Sequence, residues 1–107
     1  MAPILESGSI IPPRDTIFVR DNGIVAFEDR PGYGSHNELA GKFRLGRPSS
    51  NRRKVLDLDG AGFMREEGGK IYLTGTTNGC NIPGDLDDSR KTDALIVGKI
   101  TGKEVIY

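Results

Sequence analysis

Thr16-Ile17-Phe18-Val19-Arg20, then Asp21-Asn22-Gly23, then Ile24-Val25-Ala26-Phe27-Glu28 is the stretch on which the fold turns. Two runs rich in β-branched and aromatic residues flank an Asn-Gly pair. Both central positions of a two-residue hairpin turn need φ > 0, which asparagine and glycine tolerate best. The spacing predicts a β-hairpin with Asn22-Gly23 at its tip, Val19 facing Ala26 and Phe18 facing Phe27. Both faces of this ribbon then carry apolar side chains, so it needs a core beneath it and a cover or a partner above.

Upstream, Pro3, Pro12 and Pro13 bracket Ser9-Ile10-Ile11. Each proline fixes its own φ and disfavours helix in the residue before it, which predicts an extended arm or edge strand over residues 1–14 and a β-rich domain over residues 15–107. Downstream, residues 30–41 read as loop, except that Ser35 and Glu38 have capping-box spacing for one short helical turn closed by Gly41. Val55-Leu56-Asp57-Leu58 alternates as a short strand. Gly68-Gly69 predicts a second hairpin in which Glu67 faces Lys70 and Met64 faces Leu73; moving the turn back one residue would set Arg65 against Lys70.

Residues 75–91 hold Gly75, Gly79, Pro83 and Gly84 and read as a long exposed loop, where function is worth seeking. Ala94-Leu95-Ile96-Val97 with Ile100 is the most hydrophobic run and reads as a central strand. Thr101-Gly102 then turns it back into Glu104-Val105-Ile106-Tyr107 as a third hairpin, with Lys99 opposite Glu104 and Val97 opposite Ile106. The expected fold is all-β: a small antiparallel sheet, sandwich or partly open barrel built from hairpins, with at most one short helical turn near residues 35–41.

Composition narrows the classes of function. The chain has 107 residues, with 15 glycines and 6 prolines, so tight turns should be frequent. Fifteen Lys and Arg balance fifteen Asp and Glu, so no whole-molecule field draws the chain to nucleic acid or an anionic membrane. The one cysteine, Cys80, excludes an intramolecular disulfide and makes a reducing compartment the natural setting. The N-terminal residues lack a basic flank and an apolar run of signal-peptide length. No stretch approaches the roughly 18 apolar residues of a membrane span. The expected location is the cytoplasm, or a particle assembled inside the cell, with no membrane partner.

Chemistry-bearing patterns are sparse. One Cys and one His without paired spacing argue against structural zinc. Asp57-x-Asp59-Gly60 and Asp85-x-Asp87-Asp88-Ser89 lack the full ligand alternation of a calcium loop and read as solvated acidic turns. No phosphate-cradling glycine motif occurs, and no cofactor is expected. His36 beside Ser35 reads as a surface loop histidine, since sequence neighbours rarely point at each other. Cys80 has no evident cause for a lowered pKa. No residue is assigned a catalytic role, and the balance leans away from an enzyme.

The leading expectation is a non-catalytic protein-interaction or structural module, an accessory subunit or a component of a larger assembly such as a viral particle. Ile10, Ile11, Ile17 and Val19 would offer the apolar surface, to a protein partner or to another copy. A second reading is nucleic-acid binding through residues 42–54, where Lys42, Arg44, Arg47, Arg52, Arg53 and Lys54 occur without an acidic residue. A third comes from Ser7-Gly8-Ser9 followed by Pro12, a strand after Asp15, and Asp88-Ser89-Arg90 ahead of Gly98-Lys99, which resemble the superfamily of signal peptidases and self-cleaving repressors. The resemblance implies Ser9 as nucleophile and Lys54 as its base. Ile10 stands where that family usually has methionine, and the Asp-Ser-Arg to Gly-Lys spacing is compressed.

Overall fold

The computed structural model describes residues 3–30, 32 and 34–107. Met1 and Ala2 of the expected arm, and Pro31 and Tyr33 of the expected loop, lie outside the described residues. Strands β1 (Thr16–Asp21) and β2 (Ile24–Phe27) form the first hairpin with the expected pairs Val19 with Ala26 and Phe18 with Phe27. Asn22 and Gly23 take φ of 51° and 77°, the left-handed values that this turn requires. Strands β5 (Gly60–Glu67) and β6 (Lys70–Thr74) form the second, with Glu67 opposite Lys70 and Met64 opposite Leu73 as expected.

The closing segment departs from the all-β expectation. Residues Leu86–Thr101 form a 16-residue helix, which we number α2, instead of a loop and a central strand. Asp85 caps it by accepting the backbone N–H groups of Asp87 and Asp88, two more acids occupy its first turn, and Gly102 at φ 71° ends it. Its buried residues Asp93, Ala94 and Val97 recur at helical spacing, so the apolar run is one stripe of a helix. Gly102 is therefore a helix stop and the third hairpin does not form. Strand β8 (Val105–Ile106) instead pairs parallel to β6, with α2 as the crossover a parallel connection needs.

The main sheet has the order β2-β1-β5-β6-β8. A smaller sheet contains β3 (Arg47–Pro48), β4 (Leu56–Asp57) and β7 (Cys80–Asn81) in the order β3-β4-β7. The short helix α1 (His36–Lys42) falls where the capping box predicted it, with Ser35 Oγ accepting the Glu38 N–H at 3.3 Å. Thus, among the described residues, the molecule is sheet-rich with two helices, and the 16-residue one lies where the sequence led us to expect a loop and a strand. Among the described residues no helix is long and apolar enough to cross a membrane.

Each face of the β1–β2 ribbon has its cover within the chain. Phe18, Val25, Phe27, Met64, Ile71 and Leu73 pack beneath Ala94 and Val97 of α2. Ile17, Val19, Ala26 and Ala61 pack against Leu39 and Ala40 of α1 and against Leu45, Leu58 and Cys80. The N-terminal arm folds back onto β2: Leu5 N–H donates to the Val25 carbonyl at 2.7 Å, and Phe27 N–H to the Pro3 carbonyl at 2.8 Å. Leu5 and Ile11 enter the α2-side core.

Candidate functional site

Of the residues expected to meet a partner, Ile11, Ile17 and Val19 are buried in the chain's own cores, and Ile10 alone is exposed, at 81%. Burial within the chain removes the driving force those three would have offered to another molecule. The basic residues of 42–54 are partly committed as well. Arg47 pairs with Asp21 at 2.7 Å, and the Lys54 ammonium donates to the Asn78 carbonyl, while Arg44, Arg52 and Arg53 are exposed. Ser9 Oγ accepts the Glu6 N–H at 2.9 Å and shares a small cleft with Lys103, whose ammonium is paired to Glu66 at 2.7 Å. Ser9 and Lys54 thus have different partners, and Lys103, the lysine beside Ser9, is paired with a carboxylate, the reverse of the neutral base a serine–lysine pair needs.

The two faint acidic loops are also engaged. Asp57 accepts from Ser49, Ser50 and Asn81, and the Asn81 bond foremost holds its carboxyl below the usual carboxylate range. Asp59 accepts from the Asn22 N–H and pairs with Arg47. Asp85 serves as the helix cap.

The residue that the sequence placed wrongly is His36. It is the first residue of α1, directly after the Ser35 cap, and it is buried at 8% exposure, not a surface loop residue. Its ring packs edge-on against Phe63 of β5, with centroids 5.3 Å apart, and its Nε2 lies 2.8 Å from the Gly62 carbonyl oxygen. A carbonyl only accepts, so Nε2 carries the proton and Nδ1 holds the lone pair of the neutral ring. Burial holds the imidazole below its ordinary pKa of 6.5, against an opposing contribution from the Gly62 bond. The neutral form therefore prevails at pH 7.

His36 lines an open cleft of about 340 Å³ together with Ser35, Asn37, Phe63 and the loop from Thr76 to Gly79. Among the described residues no carboxylate lines it; besides the imidazole its polar groups are hydroxyls, side-chain amides and backbone. The loop is fixed at several points. Gly75 has φ 64°, and a Cβ there would meet the Phe63 ring at 2.7 Å, so the backbone lies directly over that ring. Arg90 of α2 donates to the Gly75 carbonyl and Lys54 to the Asn78 carbonyl. At the far end the Cys80 thiol donates to Asn37 Oδ1 at 2.9 Å and the Cys80 N–H to Thr77 Oγ1 at 3.4 Å. Burial pushes the Cys80 thiol up, away from the thiolate that a nucleophile needs.

Behind the sheet, a buried ion network anchors the same loop. Asp93 of α2 receives Arg20 Nε at 2.6 Å and faces Arg90 Nε at 3.4 Å. Gly60 and Gly62 make this possible, since a Cβ at Gly60 would collide with the Asp93 carboxylate and one at Gly62 with the Arg90 guanidinium. Gly62 therefore admits Arg90 on one side of β5 and presents its carbonyl to His36.

Comparison of the chain with protein-family models, with curated proteins and with solved structures returns no match.

Proposed function

We propose that the cleft at His36 is a small catalytic site for phosphoryl groups, with the neutral imidazole as its reacting nitrogen. The observation that carries this reading is the Gly62 carbonyl, which fixes the proton on Nε2 and leaves the lone pair on Nδ1 of a histidine that lines a cleft. An acyl-transfer site would need a hydroxyl or thiol nucleophile beside the histidine. Ser35 Oγ is occupied as the helix cap, and Cys80 is buried with a raised pKa. The imidazole itself is then the nucleophile, and histidine forms covalent intermediates in group transfer.

The lining suits that class of substrate. A phosphoryl group carries several negative oxygens and is recognised by N–H and O–H donors free of neighbouring carboxylates. The cleft supplies two threonine hydroxyls and two asparagine side chains with no acid among them, and the Lys54 ammonium sits on the adjoining loop. In the step, Nδ1 forms a bond to phosphorus as the bond to the leaving group breaks; the leaving group departs as an anion, or, where it is basic, takes a proton from water and leaves hydroxide. A second water then bonds to phosphorus as the Nδ1–phosphorus bond breaks, and the proton it sheds passes to the hydroxide or to bulk water, which frees phosphate and restores the neutral imidazole.

The test is release of inorganic phosphate from acetyl phosphate, p-nitrophenyl phosphate and phosphoramidate, by the wild type and by His36→Gln. We expect turnover of at least one of them by the wild type and its loss in the variant at unchanged fold. Equal rates in both proteins, or no turnover of any of the three, would refute the proposal.

A further inference from the structure

A second surface, on the opposite side of the sheet, has the features of a docking site. Lys91, Leu95 and Lys99 follow one another at four-residue spacing along one stripe of α2, and none is used by the core. Leu95 is 65% exposed. The stripe borders an open groove of about 640 Å³ between α2 and β8, lined also by Ala94, Gly98, Val105 and Tyr107, the last 63% exposed. β8 is the last strand of its sheet, with one backbone edge paired to β6.

The charge of the groove points to its occupant. Three lysines and one glutamate line it; Lys103 is paired with Glu66, and Glu104 with Lys70. Lys91 and Lys99 remain as unbalanced positive charge on either side of an exposed leucine, among the described residues. Eight helical residues at 1.5 Å span about 12 Å. Four residues of extended chain at about 3.3 Å span nearly the same length, and residues i, i+2 and i+4 of a strand lie on one face.

We infer that this groove docks an extended segment of a partner protein that carries acid, apolar and acid residues at alternate positions. Each acid meets one lysine, the apolar residue covers Leu95, and the segment's backbone pairs with the free edge of β8. This surface is separate from the His36 cleft and does not depend on its chemistry.

The probe is a fluorescent seven-residue peptide with glutamates at positions 2 and 6, leucine at 4 and threonine elsewhere, titrated with the full chain and followed by anisotropy. We expect saturable binding that weakens as salt rises. Binding should fall about tenfold in Leu95→Ala and in Lys99→Glu, as for loss of a central interface contact. Leu95 and Lys99 are exposed, so circular dichroism should show both variants folded. Four results would overturn the inference: no binding; equal binding of the peptide with glutamines in place of glutamates; a single-stranded oligonucleotide that displaces the peptide; or a wild-type dimer that Leu95→Ala dissociates.

Discussion

The two faces of the main sheet treat their ionisable groups in opposite ways. On the α2 face, Asp93 is nearly inaccessible and closed between two guanidinium groups, with glycines at positions 60 and 62 clearing the space. On the α1 face, His36 is bonded, among the described residues, through Nε2 alone and borders a cleft. The first arrangement commits every charge to another part of the chain and serves to lock α2 to the sheet. The second fixes a ring through its Nε2 and leaves Nδ1 without a bond among the described residues. Polar burial is satisfied by ion pairs in one place and by a single carbonyl in the other, and the proposed role of His36 rests on that difference.

Four substitutions probe that contrast. The largest effect belongs to Asp93→Ala, which leaves the Arg20 guanidinium buried without its carboxylate and should cost about 3–5 kcal/mol, read by urea denaturation. A loss under about 1 kcal/mol would mean that the network is solvated and the contrast is wrong. Gly75→Val should cost about 1–3 kcal/mol, because the backbone is left-handed there and the new side chain meets Phe63. It should also depress phosphatase activity by shifting the loop over the cleft. Full activity in that variant would separate the loop from the site.

His36→Gln should change stability by only about 1 kcal/mol at pH 7, the worth of one hydrogen bond. Its effect on pH dependence is more telling. The folded imidazole binds a proton less readily than the unfolded one, so the unfolded chain holds more protons as pH falls below 6.5. Wild-type stability therefore drops between neutral pH and the lower folded pKa, and the drop shrinks in the variant. Parallel pH profiles for the two proteins would show that the ring is not held neutral by the fold. The smallest effect is Leu95→Ala, under about 0.5 kcal/mol on stability, because the side chain is exposed.

The parts of the fold legible in the sequence are those fixed by local turn chemistry. Asn22-Gly23 and Gly68-Gly69 specify tip and register together, and the cross-strand pairs within those two hairpins follow from them. Helix α2 was misread because the short apolar run Ala94-Leu95-Ile96-Val97, with β-branched Ile96, Val97 and Ile100, was weighed without the residues that flank it. Asp85, Asp87 and Asp88 at one end, and Lys99 and Gly102 at the other, frame it once the window covers sixteen residues. The parallel placement of β8 follows only after the helix is known. His36 was weighed against its sequence neighbour Ser35, whereas its partners Gly62 and Phe63 lie 26 and more residues away, and no local pattern announces them. The one local signal was its position just inside a capping box, which places it on a structured element and not in a loose loop.

The state of the His36 ring in solution bears most directly on the catalytic reading, and it is unusually accessible because the chain contains one histidine. Long-range proton–nitrogen NMR at pH 7.5 distinguishes a protonated Nε2 from a protonated Nδ1, and titration with inorganic phosphate reports whether the ring borders a phosphoryl site. We predict the Nε2-protonated tautomer, with the Nδ1 resonance moving saturably as phosphate is added. A ring protonated on Nδ1, or an Nδ1 resonance indifferent to phosphate, would contradict the assignment of this cleft.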